Sequence, residues 1–411
     1  DRRMKSIFSV ALGILAAIGG FVDIGDIVFN VAAGAEFGYE LLWAVVLGVG
    51  GIITYAEMCG RVAAVSKKAV FDVVRERLGV SVGLVALVAG TFVNLMTLTA
   101  EIGGVALVLQ LIAGLPYHLL LVLAFVGLAL VLWLMPFGWI ERVFGYCGLA
   151  LLVFVVAAIK LNPDWGSVAH GLVPSTGSGN GWVYAYFVVG LVGAAMIPYE
   201  VYFYSSGAIE ERWGPKDLGL NRANALIGYT LGGTLSFALM ISAGALLLPQ
   251  GISAELLGTV ALVAQAPLGQ LGLILALVGM LFAISGAAID SAFAGAYSVA
   301  QFFGWEWGKY RHNAGAPRFT LAWLVMLVLG FAIVLTGVDP ILVTELSVIF
   351  SVVALPLTYL PILLVANDRA YMGEHRNGVV ANVFGTFYLV VVLVIAVAAI
   401  PLLVLSNMGR G

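Results

Sequence analysis

The sequence predicts an all-α membrane protein of eleven spans, an inverted repeat of five spans plus one, with spans one and six broken. Three observations carry that prediction. The 411-residue chain is 62% hydrophobic and only 10% charged, with a mean hydropathy of +1.08; this lies far outside the range of soluble domains. Two acids, Asp23 and Asp26, flank Gly25 inside the first apolar run. Five spans later, Pro198 and Glu200 interrupt the sixth.

The apolar segments fall at about 6–35, 39–64, 81–114, 117–135, 141–161, 183–209, 222–249, 269–303, 318–337, 340–366 and 378–407. Most exceed eighteen residues and none shows the short alternation of an outer-membrane barrel strand. The first is too long for a cleavable signal peptide. Longer connectors are expected at 66–78, 162–181, 210–221, 250–269 and 305–317, and the first of these reads as a short amphipathic surface helix carrying Lys67, Lys68, Arg75 and Arg77. Of the 19 Lys and Arg, all but Lys160 and Arg410 fall on one side if the N-terminus is cytoplasmic. That asymmetry predicts the orientation and supports the span count. A multi-pass protein of the cell inner (plasma) membrane, in contact with the lipid bilayer, is the expectation.

In span one the middle reads Gly20-Phe21-Val22-Asp23-Ile24-Gly25-Asp26. A carboxylate at bilayer depth costs about 2.5–3.5 kcal/mol on insertion scales. Two of them beside a helix-weakening glycine imply an opened helix lining a polar cavity that holds a cation. In span six, within Gly193-Ala194-Ala195-Met196-Ile197-Pro198-Tyr199-Glu200, the proline removes a backbone donor and clashes with the preceding turn. Breaks at matched places of two five-span halves point to a transporter with its site between them at mid-depth. Asp23 is the expected direct ligand. Asp26 is read as ligand, outer-shell acceptor or cap of the half-helix that follows it. Glu200 either holds a coordinated water or sits where the half-helix dipole favours an anion. Ala194 and Ile197 offer backbone carbonyls and wall shape.

Other features are read more plainly. Glu101 lines an exit, pairs with a base or makes a structural hydrogen bond; Asp290 and Glu345 are intramembrane acids without a motif. Glu57 stands one turn from Arg61 and suits an i,i+4 ion pair. Cys59 and Cys147 are packing thiols. Clusters such as Gly48-Val49-Gly50-Gly51 lack the Lys-Ser/Thr of a phosphate loop. The net charge of −3 comes with no basic block, so no nucleic-acid partner is expected. Neither a resident cofactor nor enzymatic activity is predicted, and the protein reads as a monomer.

These motifs resemble the NRAMP family of divalent-metal transporters. Asp23-Ile24-Gly25-Asp26 stands where that family has Asp-Pro-Gly-Asn, and Ala33-Gly34-Ala35-Glu36-Phe37-Gly38-Tyr39-Glu40-Leu41-Leu42-Trp43 is similar to its Gly-x-x-x-Gly-Tyr-x-Leu-Leu-Trp. Ile197-Pro198-Tyr199-Glu200 replaces Met-Pro-His-Asn, and Asp368-Arg369-Ala370-Tyr371-Met372-Gly373 is similar to Asp-Arg-x-x-Met-Gly. The resemblance implies the leucine-transporter-type fold. Residues 1–376 would then form the core, with repeats at about 6–161 and 183–366, and 377–411 an added eleventh helix and tail.

The departures from the family matter as much. Its metal-binding Met is Ile197, which removes a soft ligand that favours transition metals. A frequent glutamine of span ten corresponds to Ala354, its span-six histidines to Tyr199 and Tyr204, and its span-three aspartate to Leu98; Glu101 is retained. The chain's own histidines, His118, His170, His312 and His375, lie at span ends or in loops. A roomier, acidic, sulfur-free site suits Mg²⁺, which dehydrates reluctantly. The pattern resembles the NRAMP-related magnesium transporters. It implies alternating-access carriage of Mg²⁺, and also Mn²⁺, without obligatory proton coupling. The rivals are a proton-coupled Mn²⁺/Fe²⁺ importer, a sodium-coupled organic-solute symporter of the same fold, and a transport-dead scaffold or receptor.

Overall fold

The computed structural model describes residues 22–411. The earlier part of span one, including Gly20 and Phe21, lies outside the described residues. Ten helices among the described residues are long and apolar enough to cross a membrane, and they correspond to spans two to eleven.

Helix α1 (Ile24–Phe37) is the second half of span one; it starts where Asp23, in extended conformation, accepts the Asp26 backbone N–H at 2.8 Å. Asp23 is therefore the N-cap, and Asp26 sits inside the first turn. The expected cap role of Asp26 is corrected: with Asp23 already satisfying the first free N–H, the helix begins two residues earlier. The C-terminus of α1 is closed by Gly38 at φ 62°, whose N–H bonds the Gly34 carbonyl.

Span two is α2 (Leu42–Ser66). The connector after it carries α3 (Val70–Leu78), a short amphipathic helix as expected. Val70, Phe71, Val73 and Val74 form its buried face, while Glu76 and Arg77 are exposed. Spans three and four are α4 (Val80–Ala113) and α5 (Tyr117–Leu134). Span five starts at Phe137 and is not one α-helix: α6 (Phe137–Gly148) passes through a 3-10 turn into α7 (Val153–Lys160).

Span six is broken as expected. Helix α8 (Gly181–Ala195) stops, Met196 and Ile197 leave helical geometry, and α9 (Pro198–Glu210) restarts with proline at its first position. There the missing N–H costs nothing, because first-turn donors have no intrahelical partner. Span seven is α10 (Leu218–Leu246).

Span eight corrects a second expectation, since 250–269 is not a connector throughout. Helix α11 (Leu257–Phe303) begins twelve residues before its kink at Gly269, where φ is 68° just after Pro267. Leu257, Val260, Ala261, Val263 and Ala264 are buried at helical spacing, which outweighs the turn-like Pro and Gly. Spans nine to eleven are α12 (Pro317–Leu335), α13 (Pro340–Ala366) and α14 (Val379–Leu405). Most of α14 is exposed and apolar, as a lipid-facing helix must be.

Helix α1 lies at the centre, packed against α10, α8 and α13. Its close approach to α10 requires Gly34, where an added Cβ would lie 2.4 Å from the Met240 carbonyl oxygen. Small residues permit such backbone contacts where lipid supplies no hydrophobic drive. At the end of α2, Arg61 bonds Glu57 at 3.0 Å, the expected i,i+4 pair, and also the His375 carbonyl and Asn377 side chain at 2.7 Å. Cys59 is buried and Cys147 half-buried, and both are free thiols.

Candidate ion site

The candidate site forms where α1 begins, facing the break of span six. Asp23 is 1% exposed. One of its carboxylate oxygens accepts the Asp26 N–H, and the other accepts the Tyr199 hydroxyl at 3.4 Å. That second contact brings the start of α9 to the start of α1. Two half-helix N-termini therefore converge near one carboxylate. Their dipoles favour negative charge there.

Asp26 is fully engaged by protein. Its oxygens accept Asn30 Nδ2 at 2.9 Å and Ser236 Oγ, from α10, at 2.7 Å. Glu101 on α4 is buried, and its Oε1 accepts the Ile24 N–H at 3.3 Å. It thus adds a second cap to α1, which is the structural hydrogen bond among the roles considered for it; its Oε2 has no donor among the described residues. Glu200, in the first turn of α9, accepts the Tyr229 hydroxyl at 3.4 Å through Oε2, while Oε1 is buried without a donor among the described residues.

Ala194 lies in the last turn of α8, and Ile197 in the gap. The Ile197 side chain is packed with Tyr199 and Ala294 in a small apolar cluster. Met196 turns away from the site: its thioether lies against α2 at Gly51, and its carbonyl accepts the Tyr359 hydroxyl at 2.7 Å. Its sulfur therefore does not reach the carboxylates. The Tyr204 hydroxyl is bound to the Asn221 side chain and carbonyl at 3.0 Å.

The remaining acids separate. Asp290 on α11 lines the same cavity as Glu200. Glu345 on α13 stands instead among Arg410, Asp339 and Glu255, remote from the site. Among the described residues no three Asp, Glu, His or Cys side chains gather closely enough to hold a bare ion. The arrangement offers one carboxylate at a helix cap, a second held in reserve by hydrogen bonds, and acids spaced further along. That suits a cation keeping its water better than one stripped of it. The clamps on Asp26 were only half legible: Asn30 lies one turn on, but Ser236 comes from another helix.

Comparison with known proteins agrees with this geometry. The family model for natural resistance-associated macrophage protein-like proteins matches residues 13–401. The chain belongs to the Nramp family. Its curated relatives include a divalent metal cation transporter, MntH, of Staphylococcus saprophyticus, 25% identical over 404 residues, covering 93% of this chain and 88% of that protein. The MntH of Agrobacterium fabrum is 29% identical over 252 residues, 60% of this chain but only 54% of that protein. Among solved structures, a mutant manganese transporter of Eremococcus coleocola superposes with a TM-score of 0.72 at 19% identity, covering 97% of this chain and 94% of that one. A Na⁺-coupled sialic acid symporter gives 0.63 at 14%, covering 95% and 89%. At these identities the likeness shows fold, and the fold of this Nramp protein is the leucine-transporter type. It is a multi-pass membrane protein, as its spans require.

Proposed function

We propose that this Nramp protein carries divalent cations across the plasma membrane by alternating access, prefers Mg²⁺, accepts Mn²⁺, and needs no proton partner. The observation that carries the reading is the buried Asp23 cap, opposite a broken span six that presents Ile197 and Tyr199. Asp23 binds the ion directly. Asp26 and Glu200 act through water, and the backbone carbonyls of Ala194 and Ile197 complete the wall. A site of oxygens alone, without thioether or imidazole, has no reason to prefer transition metals over Mg²⁺. The absence of an intramembrane histidine removes the group that titrates most readily near neutral pH.

The proposed arrangement has a cytoplasmic N-terminus, a transport core over 1–376, an eleventh helix over 377–411, and a monomer as the working unit. Rocking of one helix group against the other exposes the ion to either side.

The test is Mg²⁺ uptake into proteoliposomes by wild type and Asp23→Ala. Uptake by the wild type that the variant loses is the expected outcome; equal uptake by both overturns the reading. One observation favours a second reading, proton-coupled Mn²⁺ import: the unpartnered oxygen of Glu101 is placed to carry a proton. Acidification of the liposome lumen in step with Mn²⁺ uptake would decide for that alternative.

A further inference from the structure

From Glu200 a cavity runs towards the loop after α11, lined by Glu141, Glu200, Glu211, Asp290 and Lys309. Four carboxylates thus face one ammonium. Asp290 lines it together with Glu200, and Lys309 and Glu141 act on Asp290 through their charge. Glu200 also feels the charge of Asp23, which links this cavity to the candidate ion site. Trp213, at the cavity's rim, accepts Lys67 Nζ through its carbonyl at 2.9 Å, which places this mouth at the basic end of the molecule.

Lys309 is held unusually. Its side chain is only 8% exposed, yet it forms no direct ion pair among the described residues. The ammonium instead lies over the rings of Phe137 at 4.4 Å, Phe203 at 4.6 Å and Tyr310 at 5.2 Å. Its backbone N–H donates to Glu210 Oε1 at 2.7 Å, so the main chain is anchored while the ammonium rests on the rings. A cation–π contact fixes an ammonium less tightly in place than charge-assisted hydrogen bonds to a carboxylate do. A flexible lysine stem can leave such a cage at small cost. On the other side of the cavity the Glu200 Oε1 is buried and has no donor among the described residues. A cavity with an aromatic-caged cation and an unsatisfied carboxylate oxygen is built to hold positive charge.

We propose that this vestibule is a second cation site, occupied at rest by the Lys309 ammonium, which a hydrated divalent ion displaces on its way between the candidate ion site and the basic face. The contact is through water, because the acids are too far apart for direct coordination. Lys309 screens the four carboxylates when no ion is passing, which keeps the vestibule from trapping one. The inference rests on divalent transport as proposed above, and its test separates the two.

The test is Mn²⁺ binding to the full chain in detergent, counted by electron paramagnetic resonance. Wild type should bind two Mn²⁺, one tightly and one weakly. Asp23→Ala should keep only the weak site, and adding Asp290→Asn should abolish it. Adding Lys309→Met to Asp23→Ala should tighten the weak site by about tenfold or more, since a competing positive charge is gone. Lys309→Arg keeps the charge and should leave the weak site unchanged. If Asp23→Ala binds no Mn²⁺ while wild type binds one, the vestibule site does not exist and the transport reading stands. Wild type binding none would defeat both. Unchanged weak binding in the Lys309→Met background would remove Lys309 from the role. Thermal unfolding of each variant, with a midpoint near that of wild type, shows that a loss of binding is not a loss of fold.

Discussion

Ile197 and Asp26 differ in how much of their chemistry is already committed. Ile197 is packed with Tyr199 and Ala294 and brings no ligand atom from its side chain. Methionine is close in volume, so Ile197→Met should cost less than about 1.5 kcal/mol in stability. Its unbranched chain can turn a thioether towards Asp23, and soft ions gain most. We expect affinity for Cd²⁺ and Mn²⁺ relative to Mg²⁺ to rise about tenfold, equal to about 1.4 kcal/mol, in calorimetric titrations. Unchanged selectivity would remove Ile197 as the selectivity determinant. Asp26 already satisfies Asn30 and Ser236, so using it as a direct ligand would break good hydrogen bonds. Asp26→Asn should therefore weaken Mg²⁺ binding about tenfold or less, whereas Asp23→Ala should weaken it about a hundredfold or more. Equal losses in the two variants would make Asp26 a direct ligand after all.

At the scale of elements, α3 is a clamp on the second half of span six. Its Val70 N–H donates to Ser205 Oγ at 2.8 Å, and Phe71 meets Tyr202 edge-on at 5.5 Å between ring centres. Asp72 on the same helix is largely buried, and burial pushes its carboxyl up to about 6 from an ordinary 3.8. Arg75 and Lys68 pull it down and Glu76 pushes it further up, without cancelling that burial. The folded protein then holds this proton more tightly than the unfolded chain. Stability from Asp72 is present below about pH 4, falls as pH rises to about 6, and is level above, a loss of at most about 3 kcal/mol. Asp72→Asn should flatten that part of the pH dependence and raise the thermal midpoint at pH 7; a midpoint that falls would mean the carboxylate is stabilising as charged. Much of this level was legible beforehand. The break of span six follows from Pro198, and the start of α1 from acids that no lipid-facing helix tolerates. What escaped was set by distant partners: Glu101 capping Ile24, Tyr359 holding the Met196 carbonyl, and the burial that makes Leu257–Leu268 helical despite Pro267 and Gly269. Local sequence pattern specifies where a helix can stop, whereas packing decides whether it does.

For the whole molecule, the distinguishing quantity is the charge moved per cycle. In the proposed mechanism the ion crosses alone, and nothing else titrates between the two faces. Two charges moving inward gain about 4.6 kcal/mol for each 100 mV of inside-negative potential. The limiting accumulation ratio of Mg²⁺ should therefore grow by about two-thousandfold per 100 mV, through the usual relation between free energy and ratio. A potassium diffusion potential across proteoliposomes sets that voltage, and a lumenal Mg²⁺ dye reads the direction and initial steepness of the response. Proton co-movement would add a third charge, making uptake steeper in voltage and dependent on the pH gradient. The expectation is uptake that responds to voltage and is indifferent to a pH step imposed at constant voltage. Lys309 should not alter this limit, because a tethered charge that returns to its cage each cycle contributes nothing net. Lys309→Met should change the rate at which the limit is approached and leave the limit where it was. A shifted limit would mean that the lysine's charge, or a proton on one of its acidic neighbours, crosses with the ion.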